Sequence, residues 1–385
     1  VVGPPRPLFA GDIVVAHSAY VDAWSAAQII GTDASTRTAA VLELDWSGPE
    51  PTSVADLGDV APLVLTHHSW NGALSYRNLG WVLPRSHRVL GRAPLLHRAP
   101  STSFSGSWRI GLQLALQRLW EIDSSAQFDD PRALVWDAAT LEEALRGDRG
   151  PRTDIRDLRV TGIRDLDCDE LVRQFPRLTR LTLVGELGRL TAAASLNRLS
   201  SLQELAIFDL FGMIPEDVVR PDRVAALESL DLHSIPAEYA TATKKLWTPE
   251  VPKGVHLDIS KARKPDWVAE NRDNPLRDWD GREHISRANF TKAVALFKQT
   301  RRAVLAAVAE GTREDQSRQL VELGERYGEA FNQLDRRAPF IETVEREELF
   351  AALGVIVRQA EATHGIDLAW AARSLDTGVE RVRAW

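Results

Sequence analysis

The sequence predicts a multidomain α/β protein. A small β-rich domain covers residues 1–100, a linker and capping helix 101–131, a solenoid of strand-containing repeats 132–265, and a helical bundle 266–385. Three observations carry this division. The chain has 385 residues, and single cores stop growing at roughly 250–300 residues, so two or three folded units are expected rather than one. An apolar pattern returns at nearly constant spacing through the middle of the chain, while the last third carries long amphipathic runs punctuated by helix caps. Hydrophobic residues make up 44% and charged residues 26%, the proportions of a chain that folds around cores rather than staying disordered.

In the N-terminal part, short strand-like runs extend from Asp12 to Ala16, Ala26 to Ile30, Ala39 to Leu44 and Leu63 to Thr66. Turn formers such as Gly48-Pro49 and Asn71-Gly72 separate them. Trp24, Trp46, Trp70 and Trp81 are expected to supply core area that so small a unit otherwise lacks. The serine-rich run from Ser101 to Ser107 reads as a linker, and Ile110 to Trp120 as a helix.

The repeat is L-x-x-L-x-L: Ile155, Leu158, Val160; Leu178, Leu181, Leu183; Leu202, Leu205, Ile207; Leu227, Leu230, Leu232. Successive copies start 23, 24 and 25 residues apart. Leu134 with Trp136 and Leu257 with Ile259 are weaker flanking copies, so six strands are expected side by side. Residues 132 to about 260 thus resemble an irregular leucine-rich-repeat solenoid, each repeat giving one short strand and a helical return. The Asn that the family uses to tie the turn after the strand is replaced by Ile163, Glu186, Leu210 and Ile235, so the returns need other hydrogen bonds. The resemblance implies protein binding on a concave face.

Beyond the repeats, an amphipathic run from Glu283 to Glu310 stops at Gly311, and Thr312 with Asp315 opens a second helix in a near capping box. Pro339 precedes a third, Thr343 to Thr363, and Asp367 caps a fourth that reaches Trp385. Short connections make an antiparallel bundle the natural arrangement, placed to cap the solenoid's end.

A further resemblance rests on Gly11-Asp12-Ile13-Val14-Val15-Ala16, Gln28-Ile29-Ile30-Gly31, Pro49-Glu50-Pro51-Thr52-Ser53-Val54-Ala55-Asp56-Leu57 and Leu79-Gly80-Trp81-Val82-Leu83-Pro84. In this order the N-terminal quarter resembles the Imm26 immunity-protein family of bacterial polymorphic toxin systems. That resemblance implies toxin neutralisation in a bacterial cytoplasm.

Composition excludes several classes. With Cys168 as the one cysteine, no internal disulfide is possible, which fits a reducing cytoplasm. No apolar run approaches the roughly 20 residues of a membrane span, and the start Val1-Val2-Gly3-Pro4-Pro5-Arg6 lacks a signal peptide's apolar stretch. A net charge of −7 argues against a nucleic-acid coat protein, and the lysines, all between Lys244 and Lys298, are interspersed with acids. Phosphate-binding glycine loops, G-x-S-x-G and H-E-x-x-H are absent. Asp278-Trp279-Asp280-Gly281 fails as a calcium loop, because the first and twelfth ligand positions would be Leu276 and Arg287. Asp273, Asn274 and Asp280 read as turn and cap residues. His67, His68, His87 and His97 read as structural, since adjacent strand residues face opposite ways and no carboxylate stands at ligand spacing. No cofactor and no bound metal are expected.

The repeat register nominates the site. In a leucine-rich repeat, residues between and beside the strand leucines point to the concave face, which here would carry Arg159, Arg180, Glu204, Phe208, Asp209, Asp231, His233, His256 and Asp258. Charge of both signs around an exposed aromatic suits a protein partner. The competing reading is a metal-dependent or acid/base enzyme built on Asp231, His233, His256 and Asp258, whose two carboxylates come side by side in parallel register.

Overall fold

The computed structural model describes residues 7–125, 129–147 and 150–385, so the chain start at Val1 to Arg6 lies outside the described residues. Two compact units result, divided after Lys264.

The first unit begins with a five-stranded antiparallel sheet in the order β6-β3-β2-β1-β7. Its strands are β1 (Asp12–Ser18), β2 (Ala23–Asp33), β3 (Thr38–Gly48), β6 (Tyr76–Gly80) and β7 (Arg88–Arg92); β4 (Val64–Leu65) and β5 (Ala73–Leu74) form a separate two-stranded ladder. Side chains alternate across a strand, and both faces of this sheet are covered. Val14, Ile29 and Val41 pack with Ile110 on one side, and Ile13, Val15 and Leu44 with Leu57 on the other. Trp24 and Trp46 pack against the second cluster. The other two tryptophans depart from expectation: Trp70, at a turn, is 40% exposed, and Trp81, just past β6, is 38% exposed. The Ser101–Ser107 run is not a free linker here. Asn78 on β6 donates from its backbone to Ser103 and from its side chain to Ser101, and accepts from Ser105, so the run lies along that strand. Helix α1 (Leu112–Ile122) then packs Leu114 on Leu63 and Leu65, within the same module.

Next comes a six-stranded parallel sheet: β8 (Ala133–Asp137), β9 (Asp157–Asp167), β10 (Arg180–Thr191), β11 (Glu204–Phe211), β12 (Ser229–His233) and β13 (His256–Ser260). The spatial order β13-β12-β11-β10-β9-β8 follows the sequence without a crossover. Leu134, Leu158, Leu181, Leu205, Leu230 and Leu257 stand in one register row. Between strands the chain returns through α2 (Ala138–Arg146), α3 (Cys168–Gln174), 3-10 turns at Ala193–Arg198 and Pro215–Asp217, and α4 (Ala237–Trp247). One continuous core joins the strand leucines to Phe175, Tyr239 and Trp247 on the returning segments.

The four positions after the strands, Ile163, Glu186, Leu210 and Ile235, differ in burial. Ile163, Leu210 and Ile235 enter the core, while Glu186 is exposed. Backbone groups near the strand ends find other partners: the Asp209 carboxylate accepts from the Leu187 N–H and the Ser234 hydroxyl, both at 2.9 Å. Asn197 accepts from the Arg220 N–H at 2.7 Å and donates to the Val218 carbonyl at 3.1 Å. Close strand approach requires Gly188, where a Cβ would sit 2.0 Å from the Ile163 carbonyl oxygen.

The second unit is helical: α5 (Pro265–Asn271), α6 (Arg287–Ala309), α7 (Arg313–Asp335), α8 (Thr343–His364) and α9 (Ala369–Val382). One core unites Phe297, Tyr327, Phe331, Leu349, Ile356, Leu375 and the buried Trp279. Helix α6 starts later than the sequence suggests, because Ser286 caps it by accepting from the Asn289 N–H. Thr312 and Asp315 cap α7 as expected, and Gly311 takes the left-handed conformation at φ 96°. Helices α7 and α9 touch backbone to backbone at Gly324 and Gly378. Among the described residues no helix is long and apolar enough to cross a membrane.

Candidate functional site

Because strand side chains alternate, the residues between the buried leucines share the opposite face of the parallel sheet, and the register aligns them in rows. The first row is Asp157, Arg180, Glu204, Ser229 and His256; the second is Val135, Arg159, Thr182, Ala206, Asp231 and Asp258; Val184, Phe208, His233 and Ser260 begin a third.

The first row is already engaged. Arg180 donates to Asp157 at 2.7 Å and lies over the Tyr20 ring, 5.6 Å from its centroid. Glu204 pairs with Arg109 at 3.0 Å. Nearby, the Ser86 N–H donates to Glu228 at 2.6 Å, and Arg85 reaches the Ala225 carbonyl and the Glu250 carboxylate. Arg132 donates to the Ala19 carbonyl. The N-terminal module is therefore fastened along the first row. A cleft of about 600 Å³ remains where Trp81 and Trp108 face Glu228, Ser229 and His256.

The second and third rows stay open. Arg159 and Asp258 are exposed, and Val135 is 75% exposed at the β8 edge. The Phe208 and His233 rings lie 6.2 Å apart, both half-buried. Asp209 does not belong to this open set: its φ of 52° and its bonds to Leu187 and Ser234 make it a brace of the strand ends.

Asp231 and Asp258 pair in register. The two histidines diverge. His256 Nε2 lies 3.3 Å from Asp231 Oδ1, and that bond holds the imidazole above its ordinary value against the effect of burial. His233 meets the Ser260 hydroxyl at 2.9 Å and is pushed down, by burial first and then by Lys261 and Arg263. Asp231 also accepts from the Ser229 hydroxyl at 2.9 Å. The carboxylate thus sits between serine and histidine. In a nucleophilic triad the imidazole takes the serine proton and the carboxylate supports the imidazole from behind. The order here stabilises a protonated His256 instead of activating Ser229.

The N-terminal histidines do not converge. His67 contacts His68 at 3.0 Å and Gln113 at 3.0 Å, His87 contacts Ser86 and the Trp108 carbonyl, and His97 packs on Tyr76. Among the described residues no group of three or more His, Cys, Asp or Glu side chains is placed to hold a metal ion. Cys168 is buried, which pushes its thiol up to about 12.

Sequence reasoning missed Tyr20, Arg85, Arg109 and Glu228, because long-range docking leaves no periodic signal. Val135 was legible from the weak copy at Leu134 and Trp136, as the outward residue between them. Comparison of the chain with protein-family models, with curated proteins and with solved structures finds no significant match.

Proposed function

We propose that this chain is a protein-binding protein of the leucine-rich-repeat type, whose partner docks on the second and third rows of the parallel sheet. The supporting observation is the register itself, which lines up Arg159, Phe208, Asp231, His233 and Asp258 on one face while the N-terminal module occupies the adjoining row. An aromatic pair surrounded by charges of both signs matches a binding centre with a polar rim. Charge is graded across the strands, from Arg159 toward Asp231 and Asp258, so the partner presents acidic and basic groups in the opposite order. Sequence-ordered strands at 23 to 25 residue spacing are what a solenoid would provide. On the Imm26 resemblance, the partner would be a toxin domain and the setting a bacterial cytoplasm.

The test is co-purification from the native host with wild type and the triple variant Phe208→Ala, His233→Ala, Asp258→Lys. Asp209 is left intact because removing it would strip the Leu187 N–H and the Ser234 hydroxyl of an acceptor. The variant should melt like wild type and lose the partner. Full retention of the same proteins by a normally folded variant would place the binding surface elsewhere.

A further inference from the structure

The cleft left between the N-terminal module and the first row of the parallel sheet holds about 600 Å³, within the range of small-molecule sites. Its module side is aromatic. Trp81 is 38% exposed, and its backbone N–H donates to the Arg37 carbonyl at 3.0 Å, which fixes the chain beneath the indole. Trp108 is held twice: its indole N–H donates to the Gly80 carbonyl at 2.8 Å, and the His87 ring meets it in a T-shaped contact with centroids 5.8 Å apart.

The sheet side is polar and already oriented. Glu204 is anchored by Arg109 at 3.0 Å, and His256 by Asp231 at 3.3 Å, which leaves His256 Nδ1 without a partner among the described residues. Glu228 accepts from the Ser86 N–H at 2.6 Å but has no ion pair among the described residues, because neighbouring Arg85 is bonded to Glu250 and to the Ala225 carbonyl. Burial pushes the Glu228 carboxyl above its ordinary value. Both walls are therefore set before any ligand arrives, which lowers the ordering cost of binding.

Charge decides the ligand class. Ionised Glu204 and Glu228 only accept hydrogen bonds, Arg37 at the cleft's rim only donates, and His256 donates while Asp231 keeps it protonated. An anion would meet two carboxylates, and a cation would meet Arg37 and His256. A hydroxyl both donates and accepts, so a ligand bearing several of them satisfies both kinds of group. A pyranose also has an apolar C–H face that lies flat on an indole while its hydroxyls project from the ring edge.

We propose that this cleft binds a neutral carbohydrate, with one sugar ring stacked on Trp81 and its hydroxyls held by Glu228 and His256. The site uses none of Phe208, His233 or Asp258, so its test is separate from that of the partner face. Saturation-transfer NMR and isothermal titration on the full chain test it, with cellobiose, maltose and lactose as probes and choline and citrate as charged alternatives. At least one disaccharide should bind saturably, its ring C–H protons receiving the strongest transfer. Trp81 belongs to none of the buried clusters, so Trp81→Ala should fold, and it should weaken that binding at least about tenfold. Trp81→Phe should lose less. Glu228→Gln, which keeps an acceptor for the Ser86 N–H, should weaken it about fivefold. Trp70→Ala is the control, since Trp70 is 40% exposed but does not line the cleft, and it should bind like wild type. Absence of saturable binding by all three disaccharides, tighter binding of choline or citrate, or wild-type affinity in folded Trp81→Ala would each overturn the proposal. An equal loss in Trp70→Ala would overturn it as well, by moving the sugar to an exposed indole outside the cleft.

Discussion

Gly378→Ala sets two effects of opposite sign against each other where α7 meets α9. Alanine in a helix interior is favoured over glycine by about 1 kcal/mol. Here, however, the added Cβ would lie 2.0 Å from the Val321 carbonyl oxygen and 2.8 Å from the Glu325 nitrogen. Both are backbone atoms, so no side-chain rotation relieves the clash, and the helices must separate by more than about 1 Å. Separation loosens the contacts of the buried Leu320, Tyr327, Leu375 and Val379. Overpacking costs about 1–3 kcal/mol, and an immovable neighbour places this case at the upper end. The net effect is a destabilisation of about 2 kcal/mol. Gly354→Ala is the control, because the nearest atom there is the flexible tip of Arg358 at 3.3 Å, and propensity alone should stabilise it. Hydrogen exchange read by mass spectrometry on α7 and α9 peptides suits a chain with two compact units, where one global transition cannot be assumed. Exchange in those peptides should quicken about 30-fold in Gly378→Ala. Protection equal to or above wild type would refute the argument that backbone contact, rather than helix propensity, decides this position.

Three further outcomes are expected. Leu205→Ala, in the middle of the strand-leucine row and fully buried, should cost about 2–5 kcal/mol in urea titration of the first unit's exchange, and a loss below about 1 kcal/mol would contradict the packing described. His256 should titrate above its ordinary value by NMR, and Asp231→Asn should bring it down. A folded-state pKa raised in this way contributes stability that is complete below the unfolded value and lost as pH rises through the folded one, so an unchanged His256 titration in the variant would sink the pairing. Cys168 should resist aromatic disulfide reagents in the native state and react once urea unfolds the chain; rapid native reaction would contradict its burial.

The strand pattern was legible because a leucine repeat reports its own register: Leu158, Leu181, Leu205 and Leu230 align as their spacing requires, and Asp231 falls beside Asp258. Helix caps were equally readable, since Thr312 and Asp315 act within one turn of chain. What could not be read was long-range docking. Nothing in a window around Glu204 announces Arg109, which pairs with it across 95 residues. Nor does the local sequence show that Asp209 serves the Leu187 backbone rather than solvent, because its role depends on a neighbouring strand bending at Gly185 to Gly188. Trp70 and Trp81 were assigned to the core from residue type, yet their places at a turn and just past a strand end leave them partly in water.

The two sheets of the first unit also differ in how far apart in sequence their partners lie. Antiparallel closure joins Asp12 to Arg92 across 80 residues, whereas the parallel sheet is built from neighbours, as in the Arg180 to Asp157 bond across 23. Closing the antiparallel sheet through β1 and β7 therefore carries a larger loop-closure cost than adding each parallel strand to the one before it, although β1, β2 and β3 pair as local hairpins. Vectorial synthesis offsets that cost: the N-terminal module, α1 included, has emerged before the first parallel strand, β8, is made. Each new strand from β9 onward then meets a finished surface bearing Tyr20, Arg85 and Arg109, so the module serves the growing sheet as a template as well as a cover.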